Sequence, residues 1–131
     1  MNLLLDTHVF LWFILDHPNL PPQFGEAIES RDNRVYLSVV SIWETIIKQQ
    51  TGKLPLPGPA ATYLPSERVK HEIEPLPVLE PELASLVLLP ALHRDPFDRM
   101  LIAQSIHYNL RLLTVDPIMK RYPVKLFDAS E

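Results

Sequence analysis

Three short apolar runs in this 131-residue chain, LLL at 3–5, VYLSVV at 35–40 and LRLLTV at 110–115, each give way to a helix-like segment and an acid. Asp6 follows the first run, Glu44 the second and Asp116 the third, while Asp98 stands at the head of the helical stretch PFDRMLIAQ. Strands that alternate with helices in this way call for a parallel sheet covered on both faces. In such a sheet the carboxyl ends of the strands share one edge, and ligands bind in the crevice beyond it. Carboxylates more than a hundred positions apart in sequence are thereby brought to one pocket. Like charges gathered there repel and raise one another's pKa unless a cation holds them. Hard divalent ions with oxygen ligands, Mg²⁺ or Mn²⁺, fit that need.

The elements follow from patterning and breakers. Strands are expected at 2–6, 34–38, 73–78, 110–115 and 124–127, the third weak and bounded by prolines. Helices are expected at 7–15, 23–30, 39–50, 60–72, 81–89, 97–109 and 117–122. Gly52 should end the third helix, and Pro65 should kink or break the fourth. Asp95 followed by Pro96 reads as an N-cap with proline at the first helical position, and Phe97, Leu101, Ile102, Ser105 and Ile106 line one face of that helix. The fold class is α/β, a three-layer α/β/α sandwich with a central parallel sheet, in a single domain over 1–131.

Composition narrows the chemistry. With no cysteine there is no disulfide, thiolate zinc site or cysteine nucleophile. Three glycines and no G-x-x-x-x-G-K or G-x-G-x-x-G leave nothing for a phosphate loop. No G-x-S-x-G elbow is present, and the five histidines lack zinc spacing: His8 and His93 fall near the acids, while His17, His71 and His107 read as surface. A net charge of −4 argues mildly against a general nucleic-acid binder, although clustered acids can mask a basic rim. The apolar start MNLLLDTHVFLWFILD is too short to span a bilayer and lacks a basic leader, which points to the cytoplasm and no membrane partner.

Each acid also has a purely structural reading. Asp95 and Asp98 form a capping-box variant, Ser41 and Glu44 have the same form, and Asp6 and Asp116 are placed to cap. Capping, however, accepts Ser, Thr or Asn and does not require acids at one sheet edge, so their convergence on a metal is the better explanation. Lys48, one turn beyond Glu44, pairs with it. Trp12, Trp43, Phe10 and Phe13 are most economically core rather than a base-stacking platform.

The stretches LLLDTHVFLW, LSVVSIWE, LHRDPFDRMLIAQS and LRLLTVD resemble, in order and spacing, the PIN-domain family, specifically VapC-type toxins of type II toxin–antitoxin modules. The resemblance implies a Rossmann-like sandwich and a Mg²⁺- or Mn²⁺-dependent ribonuclease that hydrolyses RNA phosphodiester bonds with a metal-activated water. Carried over, the catalytic and metal-binding acids are Asp6, Glu44, Asp98 and Asp116, with Asp6 and Asp98 holding the principal ion. Thr114, Asp95, Arg94 and Arg99 are supporting: Thr114 matches the threonine of T-x-D, and Asp95 belongs to DPFD outside the core positions. Arg94 and Arg99 either bind phosphate or form surface ion pairs. The proline-rich segment 54–79 matches weakly and receives no role.

The implied partners are RNA, a cognate antitoxin and a second copy of the chain, with DNA reached only through the antitoxin. The density of apolar residues in VFLWFIL suggests that part of the first helix faces a partner. Two alternatives are a receiver-like signalling domain with an acidic Mg²⁺ pocket and an inactive PIN domain serving as a protein-binding module. The receiver reading needs a second acid beside Asp6 and a lysine ending a late strand, neither of which the chain supplies.

Overall fold

Consecutive leucines in the first strand serve opposite faces of a sheet, which is why that strand is central. In a computed structural model, described here for residues 1–92 and 95–130, β1 (Asn2–Leu5) sends Leu3 and Leu5 into one core and Leu4 into the other. Residues of β2 (Arg34–Ser38) and β4 (Arg111–Leu113) divide in the same way: Val35, Leu37 and Leu113 join the first core, Leu112 the second. The sheet order is β3-β2-β1-β4, with every pairing parallel.

The first core is covered by α1 (Thr7–Ile14), α2 (Pro22–Glu29) and α4 (Ala60–Lys70). The second lies under α6 (Pro96–His107), with α5 (Glu80–Val87) packed on α6. Helix α3 (Val39–Gln50) feeds both, through Ile42 and Ile46 on one side and Val40 on the other. The result is the expected three-layer α/β/α arrangement.

Departures from the sequence reading have local causes. The strand expected at 73–78 is only β3 (Glu74–Leu76), an edge strand containing Pro75, and edges are where a sheet tolerates proline. The strand expected at 124–127 reduces to a single parallel bridge, Leu112 to Leu126, against a β4 that is itself three residues long. Helix α4 runs unbroken across Pro65, and the short helix expected at 117–122 is one 3₁₀ turn, Met119–Arg121.

Gly52 ends α3 as expected, at φ +73, with Gly52 N–H on the Gln49 carbonyl and Lys53 N–H on that of Lys48. The cap that starts α3 is Ser38, whose hydroxyl accepts from Val40 N–H, and not Ser41. Ile106, expected on the buried face of α6, is exposed. Helix α1 buries Val9, Phe10 and Leu11 in its own chain and half-buries Trp12, Phe13 and Ile14, so its apolar density is largely consumed internally. No helix among the described residues is long and apolar enough to cross a membrane.

Candidate metal centre

Strand order reverses at β1, with β2 on one side and β4 on the other. The crevice between the diverging connections is where open α/β sheets bind ligands. Asp6 leaves β1 there, and its N–H still bonds the Leu113 carbonyl of β4. Thr114 leaves β4 beside it and donates its hydroxyl to Asp6 Oδ2 at 2.8 Å. That hydroxyl also accepts from Asp116 N–H at 3.0 Å, which leaves its proton directed at the carboxylate. Asp6 occupies the N-cap position of α1 but makes no side-chain cap bond, so its carboxylate is not used for capping.

Glu44 reaches the same crevice from the second turn of α3. A buried bond from Thr7 Oγ1 to Ser41 Oγ, 2.8 Å long, ties the start of α1 to α3 and so sets the spacing between Asp6 and Glu44. Neither hydroxyl was singled out for such a link in the sequence, because the bond joins residues 34 positions apart. Glu44 Oε2 accepts from Lys48 Nζ at 2.8 Å, the expected one-turn pair.

Helix α6 points its amino end at the crevice. Asp95 caps it, with Oδ1 accepting from Phe97 N–H at 2.8 Å and from Asp98 N–H at 3.3 Å. Carboxylate oxygens of Glu44, Asp95 and Asp98 lie within 4.8 Å of one another, close enough to ligate one ion. Asp95 therefore joins a group that the family pattern had assigned without it.

One cavity of about 320 Å³ is lined by Asp6, Glu44, Asp95, Asp98 and Asp116, together with His8, Trp12 and Lys48. The four acids expected at the site and the Asp95 cap are thus brought together. Asp116 also caps, accepting from Ile118 N–H at 2.7 Å through Oδ1. Arg99 does not line the cavity: its guanidinium donates to the Pro90 carbonyl and the Tyr122 hydroxyl at 2.9 and 3.1 Å, bracing the segment before α6 against the C-terminal turn. Arg94 and His93 lie outside the described residues.

Burial and mutual repulsion shape the electrostatics of the cavity. Burial raises the Asp6 carboxyl above its ordinary pKa; the Thr114 hydroxyl and His8 oppose the rise, and Glu44 adds to it. Asp98 is pushed up to about 8, first by burial and then by the charges of Asp6, Asp95, Glu44 and Asp116. Two carboxylate oxygens, Asp6 Oδ1 and Glu44 Oε1, are fully buried without a hydrogen-bond partner. A buried acceptor left unpaired costs about 1–3 kcal/mol, more when charged, and a bound divalent ion removes that cost at both positions. The all-oxygen donor set suits Mg²⁺ or Mn²⁺ rather than a soft metal.

Ribonuclease VapC22 of Mycobacterium tuberculosis is 26% identical over 116 residues, covering 88% of this chain and 87% of the relative. A crystal structure of VapBC2 from Rickettsia felis, bound to a DNA fragment from its promoter, superposes with a TM-score of 0.73 at 17% identity, covering 98% of both chains. The PIN domain family model matches residues 3–125, nearly the whole length and every acid of the cavity. On that match, this chain belongs to the PIN-domain family.

Proposed function

We propose that this protein is a ribonuclease dependent on Mg²⁺ or Mn²⁺, acting as the VapC-type toxin of a toxin–antitoxin module. The observation that carries the reading is the pair of buried, unpartnered carboxylate oxygens on Asp6 and Glu44, in a cavity that also holds Asp95, Asp98 and Asp116. The similarity to a protein named a ribonuclease supports the choice of RNA, and the fold shared with a VapBC structure supports an antitoxin as partner.

A divalent ion bound in the cavity supplies the charge that acidifies a water for attack on phosphorus and offsets the negative charge of the phosphate. Glu44, Asp95 and Asp98, whose carboxylate oxygens lie within 4.8 Å of one another, would hold it, with Asp6 lining the same cavity. Thr114 orients Asp6 by its hydrogen bond, and Lys48 orients Glu44 by its own. Asp116, anchored by its own turn, adds negative charge beside Asp98 and can hold a second ion or an ordered water. Trp12 and His8 line the cavity on the α1 side.

Purified protein with Mg²⁺ or Mn²⁺ should cleave RNA to leave 5′-phosphate ends and should melt at higher temperature with the metal than without it. Equal cleavage in EDTA, or a 2′,3′-cyclic phosphate product, overturns the mechanism. Expression alone should arrest growth, and co-expression with the neighbouring reading frame should relieve it; harmless expression alone overturns the toxin assignment.

A further inference from the structure

Both tryptophans were expected in the core, and neither lies fully within it: Trp43 is 59% exposed on α3, and Trp12 on α1 is half-buried. Helix α1 turns Val9, Phe10 and Leu11 into the core, whereas His8 and Trp12, one turn apart, line the acid cavity beside Asp6. Their rings are neighbours, with centroids 6.3 Å apart and planes at 54°. Helical side chains lean toward the amino end of their helix, which for α1 is the Asp6 end.

Trp12 is braced by the turn that follows α1. Asp16 stands at φ +53, with its N–H on the Phe13 carbonyl at 3.4 Å and His17 N–H on the Trp12 carbonyl at 2.8 Å. This left-handed helix end folds the His17 ring onto the indole, centroids 5.6 Å apart and planes at 22°. Asn19 N–H donates to His17 Nδ1 at 3.0 Å and fixes that ring. A helix end of this kind favours an apolar contact between these two positions. It accounts for the stack of His17 on Trp12 but not for a second ring, His8, on the cavity wall. From α3, Glu44 and Lys48 line the same cavity, also one turn apart. The cavity therefore combines carboxylates with two rings from α1 and an ammonium from α3.

We propose that His8 and Trp12 form a nucleobase wall: an unpaired base on a nucleotide adjoining the cleaved phosphate packs against both rings and stacks on Trp12. The proposal rests on the ribonuclease reading of the acids. A cavity of about 320 Å³ lies at the low end of small-ligand sites, roughly 300–1,000 Å³, and admits one nucleotide rather than a duplex. Every base has a π-face, so an aromatic wall holds it without reading its edge. Lys48 draws a phosphate and repels a cationic side chain, which favours a nucleotide over a basic peptide against the same rings. Selection then follows stacking strength, purines over pyrimidines and unpaired bases over paired ones.

Two substitutions probe the wall, one at each ring. Trp12→Leu keeps apolar bulk without the indole, and His8→Leu changes an exposed position where folding is not at stake. With Mg²⁺, Trp12→Leu should raise KM for oligoadenylate roughly tenfold and His8→Leu by less, with kcat little changed, and Trp12→Phe should recover most of the loss. On a fully abasic strand of the same length, all variants should equal the wild type. The preference for oligoadenylate over oligouridylate should shrink in Trp12→Leu. Trp43→Phe leaves Trp12 as the chain's one tryptophan and gives a readout without turnover. Adenosine 5′- or 3′-monophosphate should quench its fluorescence, and ribose 5-phosphate should not. Wild-type cleavage with KM unchanged in both variants, an equal loss on normal and abasic strands, or no quenching by either nucleotide overturns the wall and leaves the ribonuclease reading intact. Unchanged RNA kinetics combined with loss of the complex with the co-expressed partner assigns the rings to protein and overturns it as well. Absence of RNA cleavage by the wild type overturns both readings.

Discussion

Glu82 and Glu44 are both buried glutamates, at 0% and 3% exposure, yet they are held in opposite ways. Glu82 has both oxygens satisfied: Oε1 accepts from the Tyr108 hydroxyl at 2.6 Å and Oε2 from Gln104 Nε2 at 3.0 Å, fastening α5 to α6. Glu44 has one oxygen on Lys48 and one with no partner, and it faces a cavity shared with four other acids. Burial of a charge is thus no mark of a site by itself. Nor is a single open acceptor, since Gln104 Oε1 beside Glu82 is also buried without a partner. What distinguishes Glu44 is an open oxygen in a cavity that it shares with other acids.

Substitution should separate the two regions most sharply in activity. Asp98→Asn and Glu44→Gln should lower cleavage by more than roughly a hundredfold, with thermal stability of the metal-free protein unchanged or raised. Glu82→Ala should do the reverse, costing about 1–3 kcal/mol by leaving the Tyr108 hydroxyl without its acceptor and Gln104 Nε2 with only the Pro77 carbonyl, while the folded fraction keeps its activity and its metal-induced rise in melting temperature. Melts with and without Mn²⁺, set beside initial rates, decide both. An active Asp98→Asn or a stable Glu82→Ala breaks the comparison.

A pH series sharpens it further. The Asp98 carboxyl has a folded-state pKa of about 8 against an unfolded value near 3.8, so the folded state binds its proton more tightly. Below the unfolded value both states are protonated and the group contributes nothing to the pH dependence. As pH rises from about 4 to about 8 the unfolded state loses its proton first, and stability of the metal-free protein falls; the full shift corresponds to roughly 5–6 kcal/mol, which solvent screening of this partly exposed group reduces to on the order of 2 kcal/mol. Asp98→Asn should flatten that slope, and Mn²⁺ should reverse it, since the ion prefers the ionised carboxylate. Denaturant midpoints at several pH values give the sign directly.

Asp95→Asn should have the smallest effect. Asparagine keeps the cap on α6, so stability should change by only about a few tenths of a kcal/mol. Loss of one carboxylate from the group within 4.8 Å should weaken metal affinity, by about tenfold, less than Asp98→Asn does. Calorimetric titration with Mn²⁺ measures it, and an unchanged affinity returns Asp95 to a cap alone.

Much of the order of elements was readable from the chain, as was the position of Asp6 and Asp116 just past strand ends, because a parallel sheet puts every strand's carboxyl end on one edge and apolar runs mark the strands. Asp98 instead heads α6 after α5, and Glu44 lies in the second turn of α3. The Asp95 cap was readable too, since capping is a contact between neighbours in sequence. Side-chain direction across elements was not. Trp43 looked like core because aromatic residues are commonly buried, and only the seating of α3 between the two cores turns it outward while Glu44 turns in. Arg99 looked like a phosphate ligand or a surface ion pair, and the turn before α6 engages it instead. The Thr7–Ser41 bond and the approach of Asp95 to Glu44 join residues far apart along the chain. The sequence by itself determined that acids would gather at one edge, because hydrophobic periodicity and parallel topology are local rules repeated along the chain. Which oxygens remain open and which aromatic face remains bare depended on how the helices pack, and packing is settled by contacts that no local pattern encodes.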